Sequence, residues 1–228
     1  MGIRQGPILR SKTTGLPQSM EKVGTSWTEE LLLAHLAFLR RHVPNKNEEL
    51  ARRLISAFVD RAVAIIEEAC KDVGVIVSIE QIVYVSIVTS KEVAEQYLSQ
   101  PNLVALCGIE KSTLFVTAAK GPDQRLENHV PQAVGEIYSC ARTLKKKIVR
   151  GALTNGWEWL WIILQVYPSG GGQYSLSQPI TVQGPSDTGE KVIYPKAVSR
   201  VASVLAHWML HGSEDLTECD YYTHSPDS

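Results

Sequence analysis

The segment Trp157–Tyr167 constrains this chain more than any other. In a strand, successive side chains point to opposite sides, so Trp157, Trp159 and Trp161 share one face and Leu160, Ile162 and Leu164 the other. A strand that is apolar on both faces must be covered on both, which makes it a central strand with a layer on each side. Just upstream is a second β-type run, Ile148–Thr154, joined to the first through Asn155-Gly156. Asn-Gly between two such runs is the strongest short hairpin signal, because both residues accept the positive φ of the tight turns that join twisted strands.

The flanking segments supply the covering layers. Residues 1–24 are polar and rich in Gly, Ser and Thr and read as a flexible leader. The leader lacks the apolar stretch of a secretory signal and so gives no evidence of export; an intracellular destination is the expectation. Ser26-Trp27-Thr28-Glu29 matches a capping box, and the helix it opens runs towards His42, where Pro44 stops it. Asn47 can cap a second helix, along which Leu54, Phe58, Ala62, Ile65, Ile66 and Ala69 recur at helical spacing. After Gly74 the pattern changes to short Val/Ile-rich runs: Val75–Ile79, Ile82–Val88, Leu103–Cys107 and Leu114–Ala118 are expected strands. Lys91–Ser99 reads as a short helix broken by Pro101. Pro131–Leu144 is the clearest helix, with Val134, Ile137, Tyr138 and Ala141 as its apolar stripe and Gln132 and Glu136 one turn apart on the other side. A Gly-rich turn at Gly170–Gly172 and a strand near Ile180–Gln183 precede a last helix from Pro195, with Val198, Val201, Ala202, Leu205, Trp208 and Met209 buried and Gly212 at its end. The expected fold is an α/β (α+β) sandwich with a central mixed sheet flanked by helices. One domain spans residues 25–212, its first helix (25–46) packing onto the rest, and an acidic tail (213–228) reads as disordered.

Composition excludes several classes. With 228 residues, 44% of them hydrophobic, the chain can bury a core, and 21% charged residues is ordinary for a globular domain. No apolar run is long enough for a membrane span. Cys70, Cys107, Cys140 and Cys219 contain no Cys-x-x-Cys pair, against a zinc site or redox dithiol. The net charge is −1, but Glu214, Asp215, Glu218, Asp220 and Asp227 carry −5 of it without a Lys or Arg, leaving +4 elsewhere. Arg142, Lys145, Lys146, Lys147 and Arg150 form the densest basic cluster. Lys145, Lys146, Lys147 and Arg150 are candidate phosphate contacts, although a solvated helix end favoured by the helix dipole accounts for them equally well.

Thr113-Leu-Phe-Val-Thr-Ala-Ala-Lys120 is the segment with most chemical interest. Alternation puts Leu114, Val116, Ala118 and Lys120 on one face, so the lysine either snorkels at the sheet edge or reaches into a site. The order of strand pair, Lys120 and a helix with Gln132 and Glu136 resembles the PD-(D/E)XK nuclease superfamily, whose pattern is an Asp on one strand, an acid-x-Lys on the next, and a helix often bearing Gln. Val116–Lys120, Asn128–Glu136 and Arg150–Gly156 look more specifically like nuclease-like domains of Crinkler-type and related fungal proteins, whose members include secreted effectors acting in host nuclei, so that the resemblance implies a nuclear destination in particular.

The resemblance implies a restriction-endonuclease-like fold and a site for a divalent ion, usually magnesium held by carboxylates, beside a lysine that supports the attacking water. At the two acid positions this chain has Asn102 and Ala118. Asn offers only a neutral carbonyl and Ala no ligand, so Lys120, Gln132 and Glu136 are what remains of the site. Glu136 and Glu48 are the acids best placed to substitute as metal ligands; Asp123 lies just past Lys120, and His129 is a minor candidate contact. No Walker lysine, Gly-x-Gly-x-x-Gly or Gly-x-Ser-x-Gly motif occurs.

Three readings follow. The first is a non-cutting nuclease-like domain, without a cofactor, that binds nucleic acid or a protein partner. The second is an active magnesium-dependent nuclease using a migrated acid at Glu136 or Glu48. The third is a protein-interaction effector module with no nucleic-acid role.

Overall fold

The computed structural model describes residues 2–12, 27–44, 48–70, 75–82, 98–107, 113–119, 125–143, 145–212, 214–217 and 220–224; between 75 and 119 the description is of the backbone. In chain order the strands are β1 (Ile3–Gln5), β2 (Leu9–Ser11), β3 (Val75–Ile82), β4 (Leu98–Cys107), β5 (Thr113–Ala119), β6 (Ile148–Thr154), β7 (Glu158–Val166), β8 (Gly172–Leu176), β9 (Ile180–Thr181), β10 (Gln183–Pro185), β11 (Lys191–Ile193) and β12 (Tyr222–His224). The helices are α1 (Glu29–His42), α2 (Glu48–Ala69), α3 (Val130–Thr143) and α4 (Pro195–His211).

One sheet runs β1-β8-β7-β6-β5-β4-β3, with β9 also on β7. It is mixed. β3, β4 and β5 pair antiparallel in succession, β5 and β6 are parallel, and β6, β7 and β8 are antiparallel again. Parallel neighbours need a crossover, and α3 supplies it between β5 and β6.

The tryptophan strand is central and covered on both faces. Trp157, Trp159, Trp161 and Ile163 join the core formed with α1, α2 and α4. Leu160, Ile162, Leu164 and Val166 join a second core with Val134, Ile137 and Ala141 of α3. Phe58 of α2 meets Trp159 edge-on at 5.2 Å between ring centroids, and Trp208 of α4 meets Trp161 likewise at 5.2 Å. Each large side chain so buried stabilises the fold by about 1.5–3 kcal/mol before entropy is counted.

The hairpin has the expected strands but a wider turn. Thr154 pairs with Trp159, leaving four residues between them. Asn155 Oδ1 accepts from the backbone N–H groups of Trp157 (3.0 Å) and Glu158 (2.8 Å), and Gly156 takes φ 88°. The asparagine therefore acts as a side-chain turn former, not as half of a two-residue loop. Gly156 is also pressed onto α2: a Cβ there would lie 2.8 Å from Leu54 Cβ.

Several expectations need correction. The leader is not wholly flexible: β1 pairs in parallel with β8, and β2 pairs with β12. Nor is the acidic tail disordered over its described part. Asp220, Tyr221 and Tyr222 are buried, because the two chain ends pair with each other and close over α4. The cap of α1 is Thr28, whose hydroxyl accepts from the Leu31 N–H at 3.3 Å; Glu29 is then the first residue of the helix and not the third, as the expected box requires. Pro101 does not break a helix; it lies within β4, which begins at Leu98. Gly212 caps α4 without entering the left-handed region (φ −62°). The expectations for Asn47, for residues 83–88 of a second strand and for residues 91–97 of a short helix lie outside the described residues.

Candidate functional site

The backbone register brings Asn102 and Ala118, the two positions where acids were expected from the resemblance, side by side. Asn102 on β4 is the direct partner of Ala118 on β5, and Ala118 is the partner of Leu153 on β6. Leu153 in turn pairs with Leu160, and both leucines pack under α3. The row extends outward to Glu80, the partner of Asn102 on β3. Glu80 carries no signal of its own in the sequence, because its place beside Asn102 depends on a strand pairing that no local pattern specifies.

This row lies near the carboxyl end of the parallel pair β5–β6, where open α/β sheets commonly bind ligands. Three other elements reach the same end. After β5, a 3-10 turn at Leu126–His129 leads into α3, so Gln132 and Glu136 occupy the first turns of that helix and half-buried His129 the turn before it. Glu48 is the first residue of α2, whose Ala51 and Leu54 back Gly156 just past the end of β6. Glu48 and Glu136 nevertheless stand on helices that cover opposite faces of the sheet. Lys120 and Asp123 lie outside the described residues; Lys120 follows the last residue of β5 directly.

Glu136 has one oxygen engaged and one idle. Gln132 Nε2 donates to Glu136 Oε1 at 2.9 Å, whereas Oε2 is buried with no hydrogen-bond partner among the described residues. A buried carboxylate oxygen ordinarily has a partner in protein, water or ligand. Cys140, one turn further along, is half-buried, and burial, then the charge of Glu136, pushes its thiol up to about 11, which disfavours the reactive thiolate.

At the two positions where the resemblance implies magnesium-binding carboxylates this chain supplies none. The paired strand positions carry an amide and a methyl group, and among the described residues no group of three or more His, Cys, Asp or Glu side chains is arranged to hold a metal.

The basic cluster divides. Lys145 and Lys147 are exposed and Lys146 half-buried in the turn between α3 and β6, where Lys145 adopts φ 52°. This turn enters β6 at Ile148, whereas the Asn102–Ala118 row meets β6 near its other end; across the strand's seven residues the two are about 20 Å apart. Arg150 does not belong to the surface cluster, which corrects the expectation that it contacts phosphates. It is 1% exposed on the α4 side of the sheet, and its Nη1 lies 2.6 Å from Asp220 Oδ2.

Around that ion pair the chain builds a fully buried polar centre that sequence reasoning missed. Arg150 Nη2 donates to the carbonyls of Glu214 (3.2 Å) and Asp215 (3.0 Å), and its guanidinium lies 5.4 Å from the centroid of Trp208. Asp220 Oδ1 accepts from Trp208 Nε1 and from the Tyr222 N–H, each at 3.3 Å, and His207 Nε2 is 3.6 Å from Oδ2. Burial pushes the Asp220 carboxyl up, but the neighbouring His207 imidazole and the Arg150 charge outweigh it and hold the group below its ordinary value. Burial outweighs the pairing at Arg150, whose guanidinium is pushed down. The centre ties the tail to the sheet.

No family model matches the sequence, and a search of curated proteins finds no match. No helix among the described residues is long and apolar enough to cross a membrane.

Proposed function

We propose that this chain is a restriction-endonuclease-like sandwich of the PD-(D/E)XK kind that binds nucleic acid at the carboxyl end of β5 and β6 without cutting it. The observation that carries this reading is the direct pairing of Asn102 with Ala118. These are the two positions where the resemblance calls for metal-binding acids, they are adjacent in the sheet, and neither bears a charge. The element order supports it as well: two antiparallel strands with these positions, then a helix with Gln132 and Glu136, then a strand parallel to the second.

Without the two carboxylates, the positive charge of Lys120 is not offset by the acids that the pattern calls for. That charge repels a divalent cation and favours a phosphate. Lys145 and Lys147, about 20 Å away, are within the span of roughly six nucleotide steps of the same duplex.

The test is incubation of the full chain with single- and double-stranded DNA and RNA, with and without magnesium or manganese, beside Lys120→Ala. Binding without cutting that weakens steeply with salt, and weakens further when Lys145, Lys146 and Lys147 are replaced, supports the reading. Metal-dependent cutting abolished by Lys120→Ala overturns the loss of catalysis. Absence of binding to every nucleic acid overturns the ligand and leaves a protein partner. A second reading, cutting through a migrated acid, is favoured by the idle Oε2 of Glu136; it requires that any metal-dependent cutting vanish in Glu136→Gln.

A further inference from the structure

Helix α1 has one buried apolar stripe and beside it a mixed apolar and imidazole stripe, which the fold covers in part at His35, edge-on to Trp27 at 5.7 Å between ring centroids. Leu32, Leu36 and Leu39 face inward and are buried. About a quarter-turn around the helix, Leu31, His35, Phe38 and His42 form a second stripe spaced four, three and four residues apart, the spacing of a helix-packing seam. Leu31 is 47% and Phe38 56% exposed, although both are large apolar side chains. The rings along this stripe are already ordered against one another: His35 stacks on Phe38 at 6.5 Å between centroids, and Phe38 meets His42 at 4.6 Å.

The charges of α1 specify the occupant. Its first turn carries Glu29 and Glu30; its last turn carries Arg40, Arg41 and His42. Arg40 is engaged by the Lys191 carbonyl, which leaves Arg41 exposed. A helix that is acidic at one end and basic at the other complements a second copy of itself laid antiparallel.

The seam agrees with that arrangement. With a twofold axis crossing the helix between residues 36 and 37, Leu31 faces His42 of the second copy and His35 faces Phe38, so each apolar group meets an imidazole and no two phenyl rings compete for one space. Glu30 and Arg41 lie on the same flank of the seam and come alongside each other across the axis, twice per dimer.

We infer that this face of α1 is a self-association surface through which two copies of the chain pair as an antiparallel, twofold dimer. The helix has 14 residues and is about 21 Å long, so the contact is small beside the roughly 1,200 Å² of a stable specific interface. The dimer is therefore expected to be weak, and a range of about 1–100 µM chain spans affinities in the micromolar class.

Sedimentation equilibrium of the full chain over that range tests it. The expected mass rises with concentration from 25.2 kDa towards twice that value. Phe38→Glu, a change at an exposed position, holds the chain monomeric throughout while its circular dichroism is unchanged. Glu30→Lys and Arg41→Glu each weaken self-association by placing like charges together, and an equimolar mixture of the two restores a dimer. That rescue distinguishes antiparallel pairing from general stickiness. A monomer at every concentration overturns the proposal, as does a dimer indifferent to Phe38→Glu, or the absence of rescue in the mixture.

Discussion

Replacing Asp220 by Ala is expected to destabilise the fold by about 3–5 kcal/mol, the usual cost of removing one partner of a buried pair. The size follows from what the change leaves behind. Arg150 is 1% exposed and Asp220 0% exposed, so the guanidinium keeps its charge without its ion-pair partner, with only the weaker influence of Glu214 and Asp215 remaining. The Trp208 Nε1–H and the Tyr222 N–H lose their shared acceptor as well. Against a total stability of about 5–15 kcal/mol for an ordinary domain, the loss would bring the protein near its unfolding threshold. Urea denaturation followed by tryptophan fluorescence reads it directly, with Trp208 adjacent to the lesion. Asp220→Asn retains an acceptor but not the charge and should fall between wild type and Asp220→Ala. The double change Arg150→Met with Asp220→Leu should recover part of the loss, since an apolar pair leaves no charge to strand, while the Trp208 Nε1–H and Tyr222 N–H stay without their acceptor. The pH dependence has a definite sign. The folded Asp220 carboxyl titrates below its ordinary value of 3.8, so its contribution is fully present above that value and is lost as pH falls through the lower folded one. A cost under about 1 kcal/mol for Asp220→Ala would refute the reasoning, because it would mean that the pair is not buried.

Other parts of the fold give further tests. Gly156→Ala should cost about 1–3 kcal/mol in thermal or chemical unfolding, since φ 88° disfavours any side chain and Leu54 Cβ stands 2.8 Å from the new carbon. Trp159→Ala, opening a cavity beside Phe58 in the larger core, should cost about 3–5 kcal/mol in the same measurement. Cys140, half-buried with its thiol pushed up to about 11, should react with iodoacetamide at pH 8 more slowly in the native protein than in urea; equal rates would show that the thiol is not shifted.

Local pattern determined much of the architecture. Alternation in Trp157–Tyr167 is enough to place a central strand covered on both sides, because burial on two faces is written in consecutive residues. Helical periodicity locates α2, α3 and α4 for the same reason, and Asn155-Gly156 marks the hairpin, although the turn's width depends on where Thr154 finds its partner. What tertiary structure decided are the pairings between distant segments. Asn102 and Ala118 drew attention only through a resemblance in the sequence, and strand register alone makes them neighbours and adds Glu80 to their row. Sequence assigns Arg150 to a basic surface and Asp220 to an acidic tail, since charge alone reads as solvated. The fold instead buries both against α4, because each supplies the counter-charge without which the other could not leave water.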